Sequence, residues 1–178
     1  MKKLFFDVMF IIIAGTINAQ SVAIGVQGAY VKSQDADAVT MPAAALRIGL
    51  GRLEVEGSVG YKSDKYMDGA IKATTYPIML TGFLGLLPLI HLEAGIGWYN
   101  TKVEYSSSIT LDGKSYSETY SDIGYHAGVG AEIPLGNVIL TGDLRYVMEK
   151  TKFNNVRTTS DLKSDFSMIA VGLMFKLY

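Results

Sequence analysis

The sequence contains no cysteine among its 178 residues, so no disulfide bond stabilises the fold. Its formal net charge of −1 gives no strong electrostatic attraction to nucleic acid. Beyond residue 19, no apolar run is long enough for a membrane-spanning helix, and the best candidate, residues 83–90, is short and contains Gly and Pro. These absences disfavour disulfide-stapled domains, nucleic-acid-binding proteins and helical membrane proteins.

What the chain does have is apolar character and glycine. It is 49% hydrophobic, with 11 tyrosines and 19 glycines. The first residues follow the order of a secretory signal peptide: Lys2 and Lys3, then the apolar run "LFFDVMFIIIAG", then the small Ala19 before a cleavage point. We predict a signal peptide over 1–19 and a single domain over 20–178. Lys2, Lys3 and Asp7 are then lost from the 16 basic and 17 acidic residues, which leaves a net charge of −2.

Apolar and polar residues alternate with a period of two along almost all of residues 20–178, and no helical period is sustained. The alternating segments are "VAIGVQGAY", "ALRIGL", "LEVEGSVGYK", "YPIMLTGF", "IHLEAGIGW", "IGYHAGVGAEI", "VILTGDLRY" and "IAVGLMFKLY". These segments predict eight strands. Short connections near 51–52, 85–88 and 134–137 alternate with long polar ones at 32–41, 63–72, 102–121 and 148–163. Short turns at one end and long loops at the other indicate an eight-stranded antiparallel up-and-down transmembrane β-barrel.

Alternation by itself fits a soluble barrel with an apolar interior as well as a membrane barrel. Three observations favour the apolar face outside. The polar face is rich in Gly, Ala and Ser, which suits a narrow lumen. A nine-residue strand such as 22–30 spans on the order of 23 Å when tilted, close to the apolar band of about 25 Å in membrane barrels. Aromatic residues end the apolar face at one level, as in an interfacial girdle: Tyr30, Tyr61, Tyr76, Trp98, Tyr125 and Tyr146.

This pattern, with a last strand reading "GLMFKLY", resembles the small eight-stranded outer-membrane β-barrels of the OmpA/OmpX type. The "NAQS" region resembles cleavage sites of exported Bacteroidetes proteins. In the barrel family the last strand carries a recognition signal for the barrel-assembly machinery. Gly172, Phe175, Leu177 and Tyr178 match that signal, whereas Ala170 replaces its usual polar residue. The resemblance implies a bacterial outer-membrane location, with lipid, lipopolysaccharide and the assembly machinery as partners.

Charged and imidazole side chains fall on the face predicted to line the lumen. They are Arg47, Glu54, Glu56, His91, Glu93, His126, Glu132, Asp143, Arg145 and Lys176. Because side chains nearly fill an eight-stranded barrel, we expect these groups to pair with one another or with trapped water. His91 and Glu93 therefore belong to a lumen ion-pair network, with no cofactor and no metal expected.

Turn geometry predicts specific pairs within this network. A two-residue turn at Gly51-Arg52 places Arg47 opposite Glu56. A turn at residues 134–137, with Ile133 facing Val138, places His126 opposite Arg145. The segment 103–122 keeps its alternation and contains Asp112-Gly113, so it predicts a β-hairpin above the membrane.

Three functions remain open. The first is a structural, surface-display barrel with a largely closed lumen. The second is a narrow channel for small solutes or ions. The third is an enzyme that modifies lipopolysaccharide, as the lipid A deacylase barrels do. Those barrels carry a His-x-Ser pair, whereas Gly128 and Glu93 stand at the corresponding positions after His126 and His91. We expect no enzyme activity.

Overall fold

The computed structural model describes residues 21–33, 38–66, 71–105, 115–149 and 165–177. The predicted signal peptide 1–19, the hairpin tip Asp112-Gly113 and the terminal Tyr178 lie outside these residues. The strands are β1 (Ser21–Ser33), β2 (Val39–Leu50), β3 (Leu53–Gly60), β4 (Lys62–Tyr66), β5 (Ile71–Leu87), β6 (Ile90–Tyr105), β7 (Tyr116–Leu135), β8 (Val138–Glu149) and β9 (Phe166–Lys176). The described residues contain no helix that is long and apolar enough to cross a membrane.

The strands form one antiparallel sheet that closes on itself. β1 pairs with β2 on one side and with β9 on the other, so the first and last strands are neighbours. β3 and β4 pair with consecutive parts of β5 and act as one strand interrupted at Tyr61. The Tyr61 amide still donates to the Pro42 carbonyl at 3.0 Å. The barrel is therefore eight-stranded, and the predicted fold is confirmed.

The three short connections are two-residue turns at 51–52, 88–89 and 136–137. Gly51 has a φ of 77° and Gly136 a φ of 66°, the left-handed conformation that tight hairpin turns require. We refer to this end of the barrel as the short-turn end and to the other as the long-loop end. Residues on β6 and β7 pair as far as Tyr105 with Tyr116, well into the long connection predicted at 102–121.

One predicted register is confirmed and one is wrong. Leu50 pairs with Leu53, and Arg47 stands opposite Glu56 as the Gly51-Arg52 turn predicts. At the other hairpin, Leu135 pairs with Val138, so the turn has two residues instead of four. His126 consequently pairs with Val147, and Arg145 pairs with Gly128. The reason is that Gly136 adopts the left-handed turn conformation itself, which lets β7 continue through Pro134 to Leu135.

The apolar face points outward all around the barrel. Exposed side chains on this face are mostly Leu, Ile, Val and aromatic residues, for example Ile24, Val59, Leu92, Leu144 and Val171. A water-soluble protein rarely exposes a continuous apolar surface of this kind. Because each described strand is paired on both sides within this band, the arrangement satisfies the backbone hydrogen bonds that a bilayer demands.

Candidate functional site

The inward-facing polar side chains meet at the short-turn half of the lumen. The first centre of this network is the Arg47–Glu56 pair, formed across the β2–β3 hairpin. Arg47 Nη2 lies 2.7 Å from Glu56 Oε2, and Nε donates to the same oxygen at 3.0 Å. The Glu56 side chain is 0% exposed, so the pair is removed from solvent. Gln27 on β1 completes the site by donating to the other carboxylate oxygen of Glu56 at 2.9 Å.

Arg47 also joins two carboxylates that lie nearer to the short-turn end. Its Nη1 is 3.4 Å from Glu54 Oε2 and forms an ion pair with Glu132 of β7. Both glutamates are partly exposed, unlike Glu56. One guanidinium therefore connects carboxylates from β3 and from the opposite wall of the barrel, which is typical of the planar, many-donor geometry of arginine.

The second centre of the network is Arg145 on β8. Its Nε donates to both carboxylate oxygens of Glu93 at 2.8 Å, and Nη2 lies 3.5 Å from Asp143 Oδ2. Asp143 Oδ1 in turn lies 3.0 Å from Nε2 of His91. His91 and Glu93 therefore have separate partners on β8, Asp143 and Arg145. Each is positioned by cross-strand contacts.

Phe83 lies between the two centres of the network, although it was not among the residues predicted to belong to it. The Arg47 guanidinium carbon is 4.2 Å from the centre of the Phe83 ring, and that of Arg145 is 5.9 Å away. The His91 ring meets the same phenyl group edge-on, with 5.0 Å between ring centres. An aromatic face attracts cations, so Phe83 separates two like charges while contacting both. Its inward position could have been read from the period of β5.

His126 belongs to a different part of the lumen from the one predicted. Its Nε2 lies 2.9 Å from the Thr81 hydroxyl, while its Nδ1 has no hydrogen-bond partner among the described residues. Thr81 is 0% exposed. A hydroxyl beside an imidazole is the first half of a catalytic triad, but no acid among the described residues accepts from His126 Nδ1 to orient the ring.

Glycines on β6 and β7 make room for these large side chains. His91 pairs with Gly130, Glu93 with Gly128, and His126 with Gly95, so each large residue faces a glycine across the strand pair. A Cβ at Gly130 would collide with His91 Nε2 and Asp143 Oδ1, and one at Gly128 would collide with Glu93. We use the name glycine seam for these three pairs, in each of which a large residue faces a glycine across β6 and β7. The inward glycines therefore have a packing role.

The long-loop half of the lumen has a different composition, which the alternation pattern did not predict. It contains an apolar layer: Ala29, Val31, Met41, Met79, Tyr99, Val147, Phe166, Met168 and Ala170. Buried polar residues such as Asp64 and Thr75 also lie at this end. Tyr99 and Phe166 meet edge-on with 6.1 Å between ring centres. We call these nine residues the apolar layer. It lies beyond the charged network along the barrel axis.

A cavity of about 480 Å³ lies at the short-turn end. The turns at 51–52 and 88–89 border it, and Glu54, Phe83, His91 and Glu132 line its inner part. We call this space the vestibule. It brings solvent to one side of the network, which agrees with the partial exposure of Glu54 and Glu132.

The structure places the remaining predicted residues as follows. Lys176 occupies an inward position on β9 but is exposed at the short-turn end, so it stands outside the network that it was expected to join. Lys176 is the last residue of β9 and lies at the rim of the barrel, where its side chain reaches solvent. The girdle tyrosines are exposed on the outer face, whereas Trp98 is half-buried there. In the predicted assembly signal, Gly172 is buried, and Phe175 and Leu177 are exposed on the outer face.

Neither a scan of protein-family models nor a search of curated proteins finds a match to this chain. Solved structures do match. A major outer-membrane protein from Thermus thermophilus is 14% identical, with a TM-score of 0.61 over 88% of this chain and 99% of that one. Ail, the attachment invasion locus protein of Yersinia pestis, is 16% identical, with a TM-score of 0.57 over 88% and 97%. Neisserial surface protein A is 17% identical, with a TM-score of 0.55 over 88% and 96%.

At these identities the likeness shows the fold. The chain has the architecture of the small eight-stranded outer-membrane β-barrels, and the resemblance seen in the sequence is confirmed. Together with the apolar outer face, the neighbours support the expected location in the bacterial outer membrane. A Bacteroidetes origin stays a prediction.

Proposed function

We propose that this protein is a structural outer-membrane barrel that displays its long-loop end at the cell surface and conducts little or nothing. The observation that carries the proposal is the filling of the lumen at two successive levels. The charged network occupies the short-turn half, and the apolar layer occupies the long-loop half. A conducting pore needs a continuous polar path, which an apolar constriction interrupts.

The displayed surface consists of strands that continue beyond the aromatic girdle. β5, β6 and β7 stay paired there, up to the partners Ile71–Tyr105 and Tyr105–Tyr116. Lys102 and Glu104 lie on the exposed side of this extension. Lipopolysaccharide phosphates are the ligands that outward lysines at such a rim would meet, and we propose lipopolysaccharide as a partner on that basis. Recognition by the barrel-assembly machinery through the last strand remains part of the same proposal.

A narrow channel is the second candidate, and the vestibule favours it because it already admits solvent to the network.

An enzyme is the third candidate, and the Thr81–His126 contact is the described feature that comes nearest to a catalytic arrangement. Its burial and the missing acid support our proposal that the protein is not an enzyme.

Planar-bilayer recordings on the refolded barrel, residues 20–178, test the leading function. We expect no sustained unit conductance from the wild type, with insertion verified by co-flotation with the lipid. A Met41→Ala/Met168→Ala variant opens space in the apolar layer alone and should also remain silent, because the charged network still fills the other half. Lys102→Gln, on the outer surface, is the control. Steady openings of the wild type would establish the channel instead.

A further inference from the structure

We propose that the lumen binds a divalent transition-metal ion at His91, Glu93 and Asp143. These three residues each offer a ligand atom, and the three atoms lie within 4.8 Å of one another. All three residues are buried. β6 supplies two ligands at positions i and i+2, which point to the same side of a strand, and β8 supplies the third.

The distances suit a small metal ion. His91 Nε2 and Asp143 Oδ1 are 3.0 Å apart. Metal–nitrogen and metal–oxygen bonds of about 2.0–2.2 Å place two ligands of one tetrahedral ion on the order of 3.3 Å apart. A small opening of this pair and a turn of the Glu93 side chain therefore bring three ligands around one ion, and water completes the coordination.

Charge balance is an independent reason to expect a cation. The connected network contains the guanidiniums of Arg47 and Arg145. Its carboxylates are Glu54, Glu56, Glu93, Glu132 and Asp143. With all five carboxylates ionised and His91 neutral, two cations against five anions leave three negative charges in excess. A divalent ion would neutralise two of these three negative charges in a place where water does not solvate them fully.

Asp143 gives the second independent observation. Its side chain is 0% exposed, and Oδ2 makes no hydrogen bond among the described residues, although Arg145 Nη2 lies 3.5 Å away. A buried carboxylate oxygen without a hydrogen bond is costly, because an ion pair at that distance replaces only part of its lost hydration. The same carboxylate contacts His91 through Oδ1, so its unused acceptor capacity lies at the proposed site.

Glu132 and Arg145 contact two of the proposed ligands, as residues around the ligands of a metal site commonly do. Glu132 Oε1 lies 3.8 Å from His91 Nδ1, on the side of the ring away from Asp143. In the described contact, Nε2 donates to Asp143 Oδ1. When an ion takes the place of that proton, Glu132 offers an acceptor for a proton on Nδ1, and the Nε2 lone pair can then bind the metal. Arg145 Nε donates to both oxygens of Glu93, and a carboxylate with about four lone-pair sites keeps others for the ion.

The glycine seam and the vestibule supply room and access. At Gly130 a Cβ would collide with both His91 Nε2 and Asp143 Oδ1, so the glycine is what allows these two ligand atoms to lie together. His91 and Glu132 line the vestibule, which gives the ion an entry path from the short-turn end. An imidazole nitrogen with two carboxylates selects Zn²⁺, Co²⁺ or Ni²⁺ over Mg²⁺ and Ca²⁺, which prefer all-oxygen sites.

The test uses Co²⁺ as the probe on the refolded barrel, residues 20–178, without a histidine tag. We expect one Co²⁺ per barrel, visible absorption bands of a low-coordinate site, and a rise in the urea midpoint that EDTA reverses. His91→Ala should weaken Co²⁺ binding by about tenfold or more. His126→Ala removes another buried lumen histidine and should bind Co²⁺ as the wild type does.

Folding of each variant is verified by heat-modifiable migration. If His91→Ala does not fold, His91→Gln and Gly130→Ala take its place, with Gly142→Ala, whose Cβ would meet nothing within 4 Å, as the control for the glycine change. Failure of the wild type to bind Co²⁺ would overturn the proposal. Equal loss of binding in the His91 and His126 variants would also overturn it, because the ion would then not be held at the named ligands.

Discussion

Arg47 and Glu56 stand directly opposite one another across the β2–β3 hairpin and form an ion pair of 2.7 Å inside the lumen. Both residues are buried. Glu56→Ala should leave Arg47 without its main partner and lower the free energy of unfolding by about 3–5 kcal/mol, less if water enters. Urea unfolding of the refolded barrel measures this change.

A double-mutant cycle isolates the pair itself. Replacing both residues with apolar side chains of similar volume should recover much of the loss, because no buried charge is then left unpaired. The exposed Lys102–Glu104 pair gives a matched comparison and should show a much weaker coupling. If the double-mutant loss equals the plain sum of the single losses, Arg47 and Glu56 do not interact.

The glycine seam predicts opposite outcomes for two Gly→Ala changes. At Gly128, a Cβ would collide with the Leu144 carbonyl and with Glu93, so Gly128→Ala should destabilise the barrel by about 1–3 kcal/mol. At Gly142, a Cβ would meet nothing within 4 Å, so Gly142→Ala should change stability by less than about 0.5 kcal/mol. Urea midpoints compare the two, and equal effects would show that Gly128 is not needed for packing.

Orientation in the membrane can be tested with protease sites. A site inserted at Asp112-Gly113 should be cleaved by protease added to intact cells, because the long loops face outward in our proposal. A site inserted at Gly136-Asn137 should be cleaved only after the outer membrane is opened. The reverse pattern, or equal protection of both, would refute the proposed orientation.

The C-terminal residues should matter for assembly. The Leu177 amide donates to the Val22 carbonyl at 2.8 Å and so helps to join the last strand to the first. Deleting Leu177 and Tyr178 removes this bond together with the predicted assembly signal. We expect little folded barrel in the membrane, measured by heat-modifiable migration, whereas Lys176→Gln should assemble normally. Wild-type amounts of the deletion variant would show that this end carries no signal.

One pH effect belongs to the exposed extension of β6. A hydrogen bond of 2.7 Å from Lys102, together with its positive charge, lowers the pKa of Glu104. A lowered folded-state pKa means that the pair stabilises the protein above the ordinary carboxyl range and is lost as pH falls. Carbon-13 NMR titration should show the Glu104 pKa rising back toward its usual value in Lys102→Gln. An unchanged pKa would mean that the pair does not form in solution.

Much of this architecture could be predicted because successive side chains along a strand always point to opposite faces of the sheet. Alternation assigns each residue to one face, which placed Arg47, Glu93 and Arg145 inward before any register was known. The β7–β8 register was wrong by two residues, which changed the partner of Arg145 but not the face on which it lies. The length of this hairpin turn is set by Gly136, which takes the left-handed conformation of a two-residue turn.

Contacts across the lumen could not be derived in the same way. Which residues share a level along the barrel axis depends on the stagger of all the strand pairs together, so small register errors accumulate. The contacts of Phe83 with Arg47, Arg145 and His91 are of this kind. The apolar layer takes single residues from β2, β5, β6 and β8, and three alternate residues, Phe166, Met168 and Ala170, from β9. The last strand predicted from the sequence began at Ile169, so Phe166 and Met168 were not assigned to a face.

The pairing of β1 with β9 has a consequence for the time course of folding. The first strand lacks its second neighbour until β9 is available, so the barrel cannot close before β9 has been made. Until then, two strand edges stay open along an apolar surface, which exposes the chain to aggregation. Folding dominated by such a distant pairing is slow. We therefore expect the chain to need protection from aggregation until β9 has paired with β1.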